Sequence, residues 1–198
     1  GGISLVFVFW TTFDLSPMMA DLLSVASVFL QMTLIEIPFS LYQTFVIEDK
    51  YGVNKNTLPQ FAKDQLLSMA LTLGIGMPIL ALILWVMDSI GSLWWLYAWA
   101  IIMSFSLLMS WLFPTLIAPL FNKFTPMEEG SLKNRIQKLL ERCGFNSQGI
   151  FIMDGSRRSG HGNAYFTGLG NNKRIVFFDT LVNSLDEEEL EAVLAHEL

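Results

Sequence analysis

No Asp, Glu, Lys or Arg occurs in residues 65–87 or 89–122, and Asp88 alone separates the two runs. Each run exceeds the roughly 20 apolar residues that a membrane-crossing helix requires. A buried helix of a water-soluble domain rarely extends so far without a charge, because one of its faces normally meets water. Residues 3–13 read as the end of another span. Residues 18–47 contain Glu36 and Pro38 and read as one long helix kinked at the proline. The composition agrees: 53% of residues are hydrophobic and 15% charged, with a mean hydropathy of +0.48, unlike an ordinary soluble domain. The chain opens inside an apolar segment with neither an initiator Met nor a basic leader, so it reads as an excerpt and not as a signal peptide.

The charges suggest a topology. All 12 Lys and Arg lie either between Lys50 and Lys63 or from Lys123 onward. Four spans, at about 3–13, 18–47, 65–87 and 90–121, put both groups on one side of the membrane. The positive-inside rule makes that side the cytoplasm. Residues 1–122 are therefore expected to form a transmembrane helical region, and 123–198 a cytoplasmic domain. Trp85, Trp94, Trp95 and Trp99 flank the Asp88 turn, as an interfacial aromatic belt or as ordinary packing. Glu36 either faces a polar interior or sits near the interface. The net charge of −6 argues against a nucleic-acid partner. One cysteine, Cys143, excludes an internal disulfide and reads as a core residue.

In the second half, Thr125-Pro-Met-Glu128 reads as a capping box that opens a helix with Pro at its first position. Leu132, Ile136, Leu139, Leu140 and Cys143 share its apolar face, and Gly144 ends it. Residues 149–154, 163–167 and 173–179 read as strands, the last two forming a hairpin through the turn residues Gly168-Leu-Gly-Asn-Asn172. Two helices around a small sheet make an α+β unit.

The last stretch carries the chemistry. Ser184 and Glu187 form a second capping box, and Asp186, Glu187 and Glu188 place negative charge at the positive end of a helix dipole. Leu190, Val193, Leu194 and Leu198 follow at helical spacing. His196-Glu197 on this helix is half of the zincin pattern H-E-x-x-H, in which two His at i and i+4 hold zinc and the Glu is the base toward water. The second His of that pattern would fall past Leu198. On its own the dipeptide fits a packed or surface His equally well.

Four stretches together resemble one family, the type I CAAX prenyl proteases and their bacterial relatives, which are integral-membrane zinc metalloendopeptidases. They are residues 38–57, residues 120–126, residues 153–168 with His161-Gly-Asn-Ala-Tyr-Phe-Thr-Gly168, and residues 173–181 running into Val193-Leu-Ala-His-Glu-Leu198. The resemblance covers nearly the whole chain from Glu36 onward. It implies a mostly α fold, a multi-span helical membrane bundle followed by a small α+β zincin-like metalloprotease domain. It also implies Zn2+ as cofactor, His196 as a zinc ligand and Glu197 as catalytic base. Asn163, Ala164 and Tyr165 match the edge strand that pairs with an extended substrate, and His161 lies beside it, either near the chemistry or simply holding the loop. Gly160 and Gly162 stand where the family often has Ser, and Val53 where it often has Phe.

The expected function is zinc-dependent hydrolysis of peptide bonds, of the kind that trims the C-terminal tails of prenylated proteins. The expected partners are the lipid bilayer and a peptide or protein substrate, prenylated or not. The expected location is an integral membrane protein of the endoplasmic reticulum or a bacterial inner membrane. The second His and third ligand fall outside these residues, so the stretch by itself is expected to be inactive. The alternatives are a bacterial membrane quality-control metalloprotease and a non-catalytic scaffold of the same fold.

Overall fold

A computed structural model describes residues 1–145, 147–168 and 173–197. They form two compact units, Gly1–Ile47 with Leu58–Phe105 and Glu48–Thr57 with Ser106–Leu198.

The first unit is helical. Helix α1 (Gly2–Thr11) packs on α2 (Pro17–Tyr42), and the Trp10 indole donates to Ser27 Oγ at 2.8 Å. Ser16 caps α2 and Pro17 opens it, where a missing N–H costs nothing. A wider π-helical stretch, Gln43–Glu48, follows Pro38. Helices α3 (Leu58–Leu71) and α4 (Met77–Ser89) are joined by a second π-helical turn. Helix α5 (Trp94–Leu112) runs past Phe105 into the second unit, to which the π turn at Phe113–Ile117 and the short α6 (Ala118–Phe121) belong.

Three continuous helical segments, Pro17–Glu48, Leu58–Ser89 and Gly91–Phe121, are long and apolar enough to cross a membrane; the shorter Gly2–Thr11 is also apolar. Almost none of their residues is fully buried within the chain. Ile3, Leu5, Ile35 and Phe39 are all strongly exposed. Water would penalise so much apolar surface, whereas lipid does not. The fold is that of an integral-membrane chain, mostly helical and ending in a small α+β domain.

That domain holds a four-stranded sheet in the order β1 (Phe124–Pro126), β2 (Gly149–Met153), β4 (Arg174–Phe178), β3 (Ala164–Thr167). β1 and β3 pair antiparallel to their neighbours, while β2 and β4 run parallel. Helices α7 (Ser131–Arg142), α8 (Asp179–Ser184) and α9 (Glu187–Glu197) complete it. Ile136 and Leu140 of α7 and Leu190 and Leu194 of α9 pack with Ile150, Ala164, Ile175 and Phe177 into one core. β4 is buried along three successive residues, as expected of a strand covered on both faces. On the second face, the Arg174 guanidinium lies 5.0 Å from the Phe151 ring centroid, and Tyr165 meets Phe178 edge-on at 6.2 Å.

Three local expectations are corrected. The first concerns Thr125-Pro126, which lie in β1, opposite Ile152 and Phe151, so α7 starts only at Ser131. Pairing with β2 outweighs the local capping pattern, and an edge strand accepts the proline. Cys143 is exposed, because it follows the last turn of α7, beyond the reach of the core. The cap of α9 is Asp186, not Ser184. Asp186 Oδ1 accepts from the amides of Glu188 and Glu189, and Glu189 reaches back to the Asp186 amide at 3.0 Å. Ser184 instead ends α8, its hydroxyl donating to Leu181 O. The hairpin strands match expectation to within a residue at each end, and their turn residues 169–172 lie outside the described residues.

Candidate active site

Helix α9 carries His196 and Glu197. Leu190 and Leu194, one turn apart, are the most buried residues of the helix and seat it on the sheet and α7. His196 is two residues beyond Leu194, about 200° around the helix at 100° per residue, so its imidazole leaves the core and is exposed. Glu197 closes the helix, and its side chain lies outside the described residues.

Helix α7 clasps α9 from the side. The Arg135 Nε donates to Glu191 at 3.0 Å, its Nη2 lies 3.6 Å from Glu188, and the Ser131 hydroxyl donates to Glu187. The Glu191 hydrogen bond holds the Arg135 guanidinium above its ordinary value. These groups face solvent, so they orient the helix more than they stabilise it.

Strand β3 is the free edge of the sheet at this helix. The amide of Phe178 donates to Asn163 O, which makes Asn163 and Phe178 a hydrogen-bonded pair. Alternation along the register then turns the backbones of Tyr165 and Thr167 toward β4, and those of Ala164 and Phe166 toward the outer edge. The Asn163 carboxamide accepts the Ala164 N–H at 2.9 Å. The main-chain groups turned outward without that local cap are therefore Ala164 C=O and both groups of Phe166. Phe166 lies in the stretch Asn163-Ala-Tyr-Phe that resembles the family's edge strand, but it is not among the expected substrate-binding residues His161, Asn163, Ala164 and Tyr165. Period-two alternation was legible there, but its parity depends on the pairing with β4.

Tyr165 faces the opposite way, into the second layer of the sheet. Its hydroxyl meets Met153 Sδ at 3.8 Å, and burial raises its phenol above the usual tyrosine value. His161 holds its loop through the main chain. Its amide donates to Ser159 Oγ and its carbonyl accepts from the Thr180 hydroxyl at 2.8 Å, while the imidazole is exposed. The structure thus places Ala164 in the same core as Leu190 and Leu194, far apart in sequence but in one buried cluster. No hydrogen bond joins His161 or Asn163 to His196 among the described residues.

A catalytic zinc site takes three protein ligands. Among the described residues, no three His, Cys, Asp or Glu side chains come together as a metal-binding set. His196 is one exposed imidazole donor and does not make a site alone.

Residues 1–123 match a family described as "CAAX prenyl protease N-terminal, five membrane helices", and residues 126–198 match "Peptidase family M48". The chain is 48% identical to a CAAX prenyl protease 1 homolog of Dictyostelium discoideum, over 82% of this chain and 38% of that protein. It is 46% identical to CAAX prenyl protease 1 of Saccharomyces cerevisiae, over 84% of this chain and 37% of that protein. It therefore spans about two-fifths of the length of these relatives. The crystal structure of S. mikatae Ste24p superposes with a TM-score of 0.89 at 41% identity, covering 97% of this chain and 46% of that one.

Proposed function

Because the chain belongs to the M48 family of peptidases, of the CAAX prenyl protease kind, we propose that it carries part of the active site of a membrane zinc metalloendopeptidase. Its substrates would be the C-terminal tails of prenylated proteins, a reading supported by relatives that are called CAAX prenyl proteases. The observation that carries this reading is the packing of the His196 helix against β3, with the outer main-chain edge of β3 left for an extended peptide. A peptide added there would bond to Phe166 N–H and C=O and to Ala164 C=O, and would be read at alternate side chains. His196 would supply one ligand to zinc, and the rest of the ligand set lies beyond the described residues. Zinc, when bound, supplies a Lewis acid. Glu197 would take the proton of the attacking water and deliver it to the leaving amine, which conserves the proton through the cycle.

Residues 48–57, with Lys50 and Lys55, and the domain from Lys123 onward belong to the second compact unit, while Lys63 falls in the first. By the positive-inside rule that unit would face the cytoplasm.

The test uses the full-length protein and a Glu197→Gln variant, assayed for zinc content and for cleavage of a prenylated tail peptide. Both proteins should bind about one zinc per chain. The variant should cut about 10²- to 10⁴-fold more slowly, the usual contribution of a general base. A wild-type protein without metal or cleavage would leave a non-catalytic scaffold as the reading. Equal cleavage of unprenylated misfolded membrane proteins would favour a quality-control role.

A further inference from the structure

The edge strand β3 lies between two arginines, and both reach the same membrane helix. Arg158 stands in the loop that leads into β3. Its Nη2 donates to Phe121 O and its Nη1 to Asn122 Oδ1, each at 2.6 Å. Arg174 lies directly opposite Thr167, the last residue of β3, and its Nη1 donates to Pro114 O at 3.3 Å. Phe121 and Pro114 belong to the end of the span Gly91–Phe121.

The sequence explains why these two carbonyls need a side-chain donor. Phe121 is the last residue of α6, where helix carbonyls have no partner further along the chain. Pro114 O is orphaned differently. In the π turn, Ala118 N–H bonds to Phe113 O. The next residue that could serve Pro114 O is Pro119, which has no N–H. At membrane depth an unsatisfied carbonyl is costly, and an arginine suits a helix C-terminus on charge as well. The two carbonyls are about 10 Å apart along the helix at 1.5 Å rise per residue. One attachment leaves a strand free to pivot; two set its angle.

The loop before β3 is also held on its other side. Gly160 N–H donates to Val53 O at 2.7 Å and Lys55 N–H to Arg158 O at 3.1 Å, around an antiparallel bridge between Asn54 and Ser159. Asp154 and Lys123 exchange two further bonds, Lys123 N–H to Asp154 Oδ1 at 2.7 Å and Asp154 N–H to Lys123 O at 3.2 Å.

We propose that Arg158 and Arg174 are positioning residues that hold the substrate-pairing edge of β3 in register with the end of the span Gly91–Phe121. They thereby set the distance between a substrate's membrane attachment and the bond that is cut. The proposal rests on β3 being the substrate edge. Neither arginine touches the reacting atoms. Each acts through the strand, and Arg suits the task because its planar fork serves two acceptors at fixed angles, which Lys cannot reproduce.

The experiment takes the full-length protein in lipid nanodiscs with membrane-anchored peptides that differ only in the number of residues between lipid and cleaved bond. Wild type should show one preferred spacer length. Arg158→Lys and Arg174→Lys, which keep the charge, should broaden or move that preference and raise KM at the wild-type optimum about tenfold, the scale of one lost charge-assisted hydrogen bond. Amide exchange gives a second readout that needs no activity. Residues 160–167 should exchange faster in both variants, while residues 190–196 of α9 keep their protection. An unchanged spacer profile that only loses height, or exchange that rises equally in β3 and α9, would show general destabilisation and overturn the proposal. If wild type cuts no peptide at any spacer, the protease reading fails instead, and the exchange comparison still decides whether the arginines position β3.

Discussion

At the scale of single residues, two glycines beside the edge strand behave oppositely. A Cβ on Gly162 would lie 2.9 Å from Leu181 Cδ1 and 3.2 Å from its Cα, so backbone as well as side chain would have to move. A Cβ on Gly160 would meet Val53 at 3.5 Å, an ordinary contact. Gly162→Ala is expected to cost about 1–3 kcal/mol, typical of overpacking, and Gly160→Ala less than about 0.5 kcal/mol. Denaturant midpoints of the two variants, measured side by side, check this; equal midpoints would refute it. Tyr165 gives a pH prediction. Its phenol is raised above about 10 by burial. Below that value both folded and unfolded states hold the proton, and stability is unaffected. Above it the unfolded chain ionises first and binds fewer protons, so stability falls as pH rises. Tyr165→Phe should therefore flatten the loss of stability between about pH 9 and 11, as read by urea unfolding at both ends of the range.

At the scale of elements, the helix that carries His196 depends on a cap two residues later than its strongest sequence signal. Ser184 and Asp186 can each open a box with a glutamate three residues on, at Glu187 and Glu189. The structure uses Asp186, because Ser184 is still inside α8 and its hydroxyl is spent on Leu181 O. Asp186→Ala should destabilise the domain by about 1 kcal/mol, the usual worth of an N-cap, while Ser184→Ala should change it by less than about 0.5 kcal/mol. Chemical denaturation separates the two, and the reverse order would mean the cap was misassigned. The same competition decides the start of α7. Thr125-Pro-Met-Glu128 has the local form of a helix opening, but Met127 N–H donates to Ile150 O and the segment joins the sheet. Local capping is worth about 1 kcal/mol, so a strand partner and a buried Met127 readily outweigh it.

At the scale of the molecule, the exposed thiol of Cys143 reports which side of the membrane the α+β domain occupies. In sealed vesicles of known orientation, a membrane-impermeant maleimide should label Cys143 from the cytoplasmic face only, with Cys143→Ser as the blank. Labelling from the opposite face would overturn the topology drawn from Lys and Arg. Helices long and apolar enough to cross a membrane cover nearly all of both charge-free runs, 65–87 and 89–122, because a run of this length has few alternatives in any solvent but lipid. The segment 48–57 was legible as a loop between spans. Its membership of the second compact unit was not, because that rests on main-chain bonds from Val53 and Lys55 to residues about a hundred positions away.

The sequence by itself determined the membrane helices, the α+β character of the second half and the family, together with the position of His196-Glu197 on a helix. These follow from composition, hydrophobic period and contiguous motifs, all of which are local. Only the tertiary structure decided which residues of β3 turn their main chain outward, whether Ser184 or Asp186 caps α9, and which arginines meet the orphaned carbonyls of the span Gly91–Phe121. Each of these depends on register or on partners distant in the chain. A one-residue shift of β3 against β4 would exchange the inward and outward sets, and no local propensity distinguishes the two.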